Sequence, residues 1–314
     1  MERDFFQEPL LPMEPFNLRE LPPDEGLSFQ VKWDGVRILS FVKGSQVRLQ
    51  NKKLRDRTLQ YPELTRLPFL LNFSEGLLDG EMTFLLDNRP RFPAILKRDL
   101  ALKDLSINYL RKKFPVTYFV FDILFCDGES LLPYPFWKRQ EILKEKVREE
   151  EFVRIVDNHK EGKRLMERVK RDNLEGVVAK EERSPYLPGK KGGTWWKIKV
   201  RKRQLCTIGG FILKKKGLSS LLLGAYQEKD LLYLGRVGTG LKEEEWEMLK
   251  GYLQGRTITF SPFINPPSPG KGLFWVEPFL ALWVEFSEWT QELKMRAPSI
   301  KGFSPSSPRE CILS

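Results

Sequence analysis

The sequence has 314 residues, which is enough for two domains that each bury their own core. Lysine and arginine number 53 against 42 aspartates and glutamates, and the formal charge of +11 favours an anionic partner such as nucleic acid or an acidic membrane surface. A single histidine excludes zinc sites and catalytic triads built on several histidines, and three widely spaced cysteines are typical of a reducing cytosol rather than of a disulfide framework.

In chain order, no signal peptide opens the first domain and no apolar run approaches membrane-spanning length, so we expect a cytoplasmic protein without a membrane partner. Five prolines lie within the first 25 residues, which are predicted to form an extended lead-in. Alternation and periodicity of apolar residues then predict helices at 61–71, 94–102, 136–150 and 160–171, and strands at 28–33, 36–42, 117–125 and 176–180.

The composition changes near residue 200, where the intensely basic segment 197–203 gives way to short runs typical of strands. One helix is predicted at 242–253, and strands are predicted at 206–213, 221–226, 231–237, 257–260 and 281–286. Short strands with one helix before the final strands match a five-stranded OB barrel. The segment from residue 304 contains prolines and several serines, and it is predicted to be a flexible tail.

The segment 32–37, KWDGVR, places an amine, a carboxylate, a glycine and a guanidinium within six residues. Lysine attacks phosphorus only as the free amine, and at its reference pKa about 0.04 per cent is neutral at pH 7. Cations or burial would lower the pKa of Lys32 and produce a nucleophile. Asp34 would hold or deprotonate the amine, Gly35 would permit a tight turn, and Arg37 would clamp phosphate or ribose. An ordinary hairpin with solvated charges is the alternative.

Further short motifs follow in a fixed order: LDGE at 78–81, VFDIL at 120–124, EGVVAK at 175–180 and WKIK at 196–199. Together with K-x-D-G-x-R they resemble the ATP-dependent DNA ligases and related lysyl-nucleotidyltransferases. The segments WVEP at 275–278 and RAPSIKGF at 296–303 resemble the end of bacterial end-joining ligases of the Ligase D type. The resemblance implies an α+β fold, with an adenylation domain of antiparallel sheets and flanking helices at 1–202, an OB-fold DNA-binding domain at 203–303 and a tail at 304–314.

The resemblance implies ATP as AMP donor and nicked duplex DNA as the second substrate. Lys32 would attack the α-phosphorus of ATP and form a lysyl-adenylate. The AMP would move to the 5′-phosphate at the nick, and the 3′-hydroxyl would then displace it and seal the strand. Such a covalent intermediate divides a difficult condensation into easier exchanges.

The family positions for phosphate and metal binding fall on lysines and glutamates. Lys197 and Lys199 would share one face of a strand, grip the α-phosphate and favour a neutral Lys32 by charge repulsion. The alternative is a basic edge strand that discourages aggregation. Mg²⁺ or Mn²⁺ would bind Glu175 and Glu81, of which Glu81 is also suited to hold the ribose hydroxyl. Because a glycine stands next to each glutamate, a solvated turn is the alternative reading of both.

The adenine base needs an aromatic platform and a hydrogen-bonding partner for its edge. Phe121 stands at the family's stacking position, although a core role is the default for an aromatic residue in this strand. The sequence departs from the family at Gln30, where relatives usually have glutamate, but an amide oxygen still accepts a hydrogen bond from the adenine amino group. Lys52 replaces a family arginine, which keeps the charge but loses the bidentate fork.

The last motif places Arg296 and Lys301 on the OB domain, where relatives orient the leaving pyrophosphate. This role implies that the OB domain closes over the nucleotide and later swings away to grip DNA; contact with the DNA backbone alone is the alternative. Phosphate contacts are expected from a basic set: Arg201, Lys202, Arg203, Lys214, Lys215 and Lys216.

Three other functions are compatible with parts of the pattern: an RNA ligase, a capping-type guanylyltransferase and a non-catalytic DNA-binding adaptor. The OB domain argues against many RNA ligases, and the retained lysines and glutamates argue against an adaptor. We expect a minimal two-domain monomer that acts in the cytoplasm with the nucleoid and relies on a Ku-like end-binding protein to find breaks.

Overall fold

The computed structural model describes residues 6–215, 217–290 and 292–313. The chain divides into two compact units, Met1–Val200 and Arg201–Ser314, and the division falls two residues before the boundary expected from the sequence. No helix among the described residues combines the length and apolar character needed to cross a membrane.

The first unit mixes strands with short helices. In chain order its elements are β1 (Glu14–Leu18), β2 (Leu27–Lys32), β3 (Val36–Lys43), β4 (Gln46–Asn51), a 3-10 helix (Pro62–Leu70), β5 (Glu75–Thr83), β6 (Leu85–Leu86), β7 (Arg89–Pro90), α1 (Phe92–Asp99), α2 (Asp104–Lys113), β8 (Thr117–Cys126), β9 (Glu129–Ser130), α3 (Phe136–Lys146), β10 (Val153–Ile155), α4 (Gly162–Arg171), β11 (Gly176–Glu181) and β12 (Lys191–Lys199).

Two main sheets form the body of this unit. One has the strand order β1–β12–β11–β2, and the other has the order β10–β8–β5–β3–β4 with β9 added to β8. Alternate residues of β3 pack on opposite faces, as strand geometry requires. Ile38 joins a core under the 3-10 helix and α3, whereas Leu39 and Phe41 join a second core that includes Trp195 of the other sheet. The two sheets therefore share an apolar layer.

A third cluster packs α4 against the sheet that carries β2. Leu165 and Val169 of α4 are buried against Phe29, Val177 and their neighbours on β2 and β11. The helix covers one face of this sheet. The ends of β2, β11 and β12 carry polar residues.

Several predicted elements differ in the structure. Part of the extended lead-in is β1, which pairs in parallel with β12. The predicted helix 61–71 is a 3-10 helix that contains Pro68, whose ring lacks the N–H of a regular helix interior. Strand β5 and helix α2 were not predicted from the sequence.

The second unit is a strongly bent sheet with one long helix. Its elements are β13 (Lys202–Lys214), β14 (Gly217–Gln227), β15 (Asp230–Val237), α5 (Glu243–Gln254), β16 (Thr257–Ile258), β17 (Leu273–Val276), β18 (Ala281–Phe286), β19 (Ser299–Ser304) and a 3-10 turn (Pro308–Glu310). The long strand β13 pairs with β18 through its first half and with β17 further on, while β14 pairs along its other edge. Leu249 and Leu253 of α5 close the apolar core of this sheet.

The end of the second unit is held by backbone hydrogen bonds. Tyr226 N–H donates to Cys311 O at 2.6 Å, and Leu313 N–H donates to Tyr226 O at 2.9 Å. Gln204 Nε2 donates to Ile312 O at 2.8 Å, and Cys311 is buried. Residues 304–313 thus differ from the predicted flexible tail, because the apolar side chains at 311 and 313 pack on this unit despite the surrounding serines and prolines.

Candidate active site

A cavity of about 550 Å³ in the first unit is lined by the motif of residues 32–37. Its wall also contains most of the residues singled out in this unit from the sequence: Gln30, Lys52, Glu81, Phe121, Lys197 and Lys199. Polar groups and an aromatic ring therefore converge on one concave surface, which is the usual form of a small-molecule site.

Strand register brings the lysines together. Lys32 at the end of β2 lies opposite Gly176 of β11, and Gly176 in turn lies opposite Lys199 of β12. A Cβ atom on Gly176 would lie 2.2 Å from the carbonyl oxygen of Ile198, so only glycine allows this approach of the backbones. The glycine of the EGVVAK segment thus lets three adjacent strands place their polar ends side by side.

Gly35 has a different role from the one expected. Its φ lies outside the left-handed region, and a Cβ atom there would lie 2.2 Å from the carbonyl oxygen of Met82. The glycine is needed for close packing of the motif against β5 rather than for the freedom of a tight turn.

Glu175 bridges two lysines. Its Oε2 is 2.6 Å from Lys32 Nζ, and its Oε1 is 2.6 Å from Lys199 Nζ. Burial alone would lower the pKa of Lys32, but the carboxylates of Glu175, Glu81 and Asp34 outweigh it and raise that pKa above its ordinary value. In the protein alone, Lys32 is therefore held as an ammonium ion.

This result corrects the expectation that neighbouring cations keep Lys32 neutral. Charge repulsion acts on Lys197 instead, whose pKa is lowered by partial burial and by Lys32 and Lys199. Since the carboxylates decide the state of Lys32, deprotonation requires their charge to be offset when substrate binds.

The pKa values of two glutamates near Lys32 are shifted in opposite directions. Burial raises the pKa of Glu81 to about 7, opposed by Lys32 and Arg37. Burial would also raise the pKa of Glu175, but Lys32 and Lys199 lower it below its ordinary value. No group of three or more histidine, cysteine or acidic side chains suited to a metal occurs among the described residues. Two carboxylates are nevertheless the number that Mg²⁺ commonly takes beside phosphates and water, so Glu81 and Glu175 fit that ion.

Arg37 is held before any ligand arrives. Its Nε donates to Asp79 Oδ1 at 2.9 Å, and its Nη2 donates to Asp79 Oδ2 at 2.5 Å. Tyr186 Oη donates to the same carboxylate at 2.7 Å. The guanidinium lies 5.1 Å from the centroid of the Phe121 ring. Arg37 therefore packs against Phe121. Its two hydrogen bonds to Asp79 restrict the movement of the guanidinium towards a phosphate.

A second cation, Lys180, lies near the Phe121 ring and near two other aromatic rings. Lys180 Nζ is 4.6 Å from the Phe121 centroid, 4.0 Å from that of Trp195 and 4.7 Å from that of Phe136. Burial lowers the pKa of Lys180 to about 7, although Asp122 and Asp79 oppose the shift. The Phe121 ring thus packs near the buried amine of Lys180, which also lies close to Trp195 and Phe136.

Gln30 is a buried residue in the wall of the cavity. Its Nε2 donates to Asn158 Oδ1 at 3.0 Å and to Gln140 Oε1 at 3.3 Å. Gln140 Nε2 donates to the backbone oxygen of Phe121 at 3.0 Å. The amide at the base-reading position is consequently linked to the aromatic platform.

Asp34 and Lys52 complete the wall on the side of the loops. Asp34 contributes to the raised pKa of Lys32, and Lys52 extends from the turn after β4. That turn is ordered by Asn51 Oδ1, which accepts hydrogen bonds from the backbone N–H groups of Lys53 and Arg55.

The basic residues singled out near the end of the chain lie in the second unit. Arg296 pairs with Glu288 at 2.5 Å, and Lys301 lies 3.6 Å from Glu285, which also faces Arg201 at 3.8 Å. The other side chains of the set are exposed: Lys202, Arg203, Lys214 and Lys215. Lys216 lies outside the described residues.

Several residues at the site were missed from the sequence. Asp79 and Lys180 stood within the LDGE and EGVVAK segments, and those segments were the available signal. Gln140 on α3 and Asn158 after β10 carried no signal, because they reach Gln30 only through the folded arrangement.

A second cavity, of about 870 Å³, lies along the outer face of α4 and is lined by His159 and charged side chains of the helix. Although it is larger, it has neither an aromatic platform nor a lysine paired with a buried carboxylate. Its composition is that of a solvated charged helix face.

Family models match both units. The model described as ATP dependent DNA ligase domain matches residues 18–199. The model described as ATP dependent DNA ligase C terminal region matches residues 214–306. Together these matches cover both units and all the motifs.

Individual proteins give a consistent result. The multifunctional non-homologous end joining protein LigD of Mycolicibacterium smegmatis is 32% identical over 295 residues, which cover 91% of this chain and 37% of that protein. The crystal structure of the ligase domain from M. tuberculosis LigD is 29% identical with a TM-score of 0.54, covering 97% of this chain and 98% of that chain. A mycobacterial DNA ligase D complexed with ATP and MES has the same identity, coverage and TM-score. The chain thus spans well under half the length of the LigD protein.

Proposed function

The chain belongs to the ATP-dependent DNA ligase family, and from that premise we propose that it seals nicks between a 3′-hydroxyl and a 5′-phosphate through a lysyl-adenylate on Lys32. The observation that carries the proposal is the position of Lys32 in a cavity that also offers an aromatic platform and paired phosphate-binding lysines. Lys32 Nζ contacts Glu175 Oε2 at 2.6 Å, so the position of the amine is fixed. The charge of Glu175 also influences the protonation of this amine.

In the first step a bond forms between Lys32 Nζ and the α-phosphorus of ATP. The bond from that phosphorus to the bridging oxygen breaks, and pyrophosphate leaves with the electron pair. The ammonium must first give up a proton, and Glu175 Oε2 at 2.6 Å is positioned to pass it towards solvent. ATP binding favours this loss only if the negative field around Lys32 is offset.

Cationic residues of the cavity provide part of that offset. Lys197 and Lys199 are proposed to bind the α-phosphate, and Lys52 to bind the outer phosphates or the ribose. Glu175 and Glu81 would bind Mg²⁺, which would supply further positive charge at the phosphates. This charge would also weaken the electrostatic attraction between the carboxylates and the Lys32 ammonium. Phe121 is proposed to stack on adenine, with Arg37 supporting the ring and Asp34 orienting the amine.

The second unit is proposed to serve the outer phosphates and the DNA. Arg296 and Lys301 would orient the leaving pyrophosphate, which requires their present carboxylate partners to release them. The exposed basic side chains would contact the DNA backbone: Arg201, Lys202, Arg203, Lys214 and Lys215. In later steps the AMP moves to the 5′-phosphate of the nick, and the 3′-hydroxyl displaces it.

We further propose that the enzyme acts as a monomer in end joining, in the cytoplasm with the nucleoid. The end-joining role is supported by the similarity to LigD, whose name includes non-homologous end joining. A Ku-like end-binding protein would bring broken ends to it. Ligation of double-strand ends with and without such a protein tests this point, and equal rates would remove the partner from the account.

The proposed reaction is tested by incubating the protein with α-labelled ATP and Mg²⁺, followed by a chase with nicked duplex DNA. We expect label that survives denaturation and is lost from the protein as the nick is sealed. Lys32→Ala should retain no label, whereas Lys170→Ala, which changes an exposed lysine of α4, should behave as wild type. Absence of label on wild type, both before and after treatment with pyrophosphate to remove bound AMP, would contradict the proposal and favour a non-catalytic adaptor.

A further inference from the structure

The side-chain amides under the cavity form a network whose orientation is fixed from one end. Gln140 Nε2 is 3.0 Å from the backbone oxygen of Phe121, which can only accept a hydrogen bond. A flipped Gln140 would place two oxygens against each other, so its nitrogen must face Phe121. Its Oε1 is therefore turned towards the other two amides of the network, which belong to Gln30 and Asn158.

The orientation passes from Gln140 to Asn158 and Gln30. Gln140 Oε1 accepts from Asn158 Nδ2 at 2.9 Å and from Gln30 Nε2 at 3.3 Å. Asn158 Oδ1 accepts the second N–H of Gln30 at 3.0 Å. Both donors of Gln30 are used within the protein, and each of the three amides supports the orientation of the others.

The remaining polar atom of Gln30 is its oxygen. Gln30 is 2% exposed, and its Oε1 receives no hydrogen bond from the part of the chain that the structure describes. This oxygen is not among the fully buried side-chain atoms that lack a partner, so it remains accessible from the cavity and can accept a hydrogen bond from a ligand. Gln30 lines the same cavity as Phe121 and Lys32, so this oxygen is available where a stacked base would present its edge.

We propose that Gln140 and Asn158 are positioning residues that lock Gln30 as a hydrogen-bond acceptor, and that this lock selects a purine with an amino group at position 6. Adenine offers a donor there, whereas guanine and hypoxanthine offer an acceptor oxygen that would face Gln30 Oε1. This inference rests on the proposed use of the cavity for the nucleotide. It assigns the selectivity to two residues that do not touch the reacting atoms.

Formation of the lysyl-nucleotide from ATP and from inosine triphosphate tests the inference, because hypoxanthine differs from adenine in carrying an oxygen at position 6. Wild type should prefer ATP by about 100-fold or more in second-order rate constant. Gln140→Met should reduce this preference by about tenfold or more, because a Gln30 amide freed to flip can donate to the oxygen. Asn158→Leu provides a second, independent disruption with the same expected direction.

The ratio of the two nucleotides is measured on one protein preparation, so partial unfolding does not alter it. Gln50→Met is the matched control, since Gln50 is also a buried glutamine that donates to a backbone carbonyl, that of Leu10 at 2.7 Å, but lies outside the cavity wall. The control should keep the wild-type ratio.

An unchanged ATP preference in both Gln140→Met and Asn158→Leu would overturn the inference, as would a wild type that uses both nucleotides equally. If wild type formed no lysyl-nucleotide from any nucleotide triphosphate, the proposed function itself would fail. The two failures are therefore distinguishable in the same experiment.

Discussion

At the scale of single residues, the charge state of Lys32 connects structure to chemistry. Glu175, Glu81 and Asp34 raise the pKa of this lysine although burial alone would lower it. A raised pKa means that the ammonium persists to higher pH, so the reactive amine fraction, and with it the adenylation rate, should increase as pH rises towards that pKa.

Glu175→Gln should move this pH dependence. The amide keeps the shape of the side chain but removes the charge that contacts Lys32, so the pKa of Lys32 should fall. We expect the midpoint of the pH profile for the second-order rate constant of adenylation to shift towards lower pH. The maximal rate should also fall, because Glu175 is proposed to hold Mg²⁺.

Glu182→Gln is the control for this shift. Glu182 pairs with Lys160 and Ser28 rather than with Lys32, so its variant should keep the wild-type midpoint. A midpoint that is unchanged or higher in Glu175→Gln would show that this carboxylate does not hold the ammonium.

Lys180 provides a second prediction, on stability. Its pKa in the folded protein is about 7, lowered by burial from the ordinary value of 10.5. Between these values the unfolded chain binds more protons than the folded one, so stability should rise with pH. Relative to Lys180→Met, the free energy of unfolding of wild type should increase from pH 7 to pH 10, by at most about 1.4 kcal/mol per pH unit.

Urea unfolding at pH 7, 8.5 and 10 measures this difference. Lys170→Met, at an exposed position on α4, should differ from wild type by the same amount at each pH. A difference between wild type and Lys180→Met that stays constant with pH would mean that Lys180 does not change protonation on folding in this range.

Residues within contiguous motifs could be recognised from the sequence, because type and spacing alone single them out. Lys32, Glu175 and Lys199 are examples. In the structure Glu175 contacts each of the two lysines at 2.6 Å. The direction of the Lys32 shift was not predictable, since it depends on which charges approach most closely. Gln140 and Asn158 could not be predicted from the sequence, because their role depends on hydrogen bonds to Gln30 that only the folded chain forms.

At the scale of elements, strand β5 shows why local patterns fail. Its sequence, EGLLDGEMT, contains glycines and carboxylates that are uncommon in strands, yet it lies between β3 and β8 at the centre of its sheet. Gly80 is required there, since a Cβ atom would lie 2.5 Å from the ring of Tyr118. Helix α2 was missed for another reason: Leu105 is 87% exposed and Tyr109 is 60% exposed, so no regular apolar stripe marks it.

Gly176→Ala should test the close approach of β11 and β12. The added methyl would meet the Ile198 carbonyl and force the strands apart, which would destabilise the protein by about 1–3 kcal/mol. Adenylation should fall further than stability accounts for, because Lys32 and Lys199 would no longer converge on Glu175. Thermal unfolding and adenylation at a temperature where the variant is folded separate the two effects.

Gly251→Ala is the matched comparison, because Gly251 lies within helix α5 and a Cβ atom there would meet nothing within 4 Å. It should stabilise the protein by about 0.5–1 kcal/mol. Equal and small effects of both substitutions would refute the packing role assigned to Gly176.

At the scale of the whole molecule, the predicted α+β class and the C-terminal OB-fold are confirmed by the matches to both ligase regions and by the ligase-domain structure. The prediction of a DNA ligase is confirmed at the level of the family. The order of the motifs was sufficient here because seven short segments are distributed over both units. The packing of residues 304–313 could not be inferred, as it depends on contacts with Tyr226 and Gln204.

The net charge of +11 has a measurable consequence for DNA binding. Replacing Lys202 and Arg203 together by glutamine should weaken binding of nicked DNA and reduce the slope of log Kd against log salt by roughly 0.9 per lost phosphate contact. The measurement uses the Lys32→Ala background, so that no ligation occurs. Glutamine at Lys163 and Lys170 on α4 is the control, and a slope reduced equally by both pairs would mean that the second unit holds no special DNA-binding surface.

Locating the AMP on the protein tests the role of Lys32 as the nucleophile. Wild type is loaded with ATP and Mg²⁺, digested under conditions that preserve a phosphoramidate, and its peptides are mapped by mass spectrometry. We predict AMP on the peptide that contains Lys32, and its removal from that peptide when nicked duplex DNA is supplied. AMP on another lysine, or AMP on Lys32 that persists while nicks are sealed, would contradict a lysyl-adenylate intermediate on Lys32.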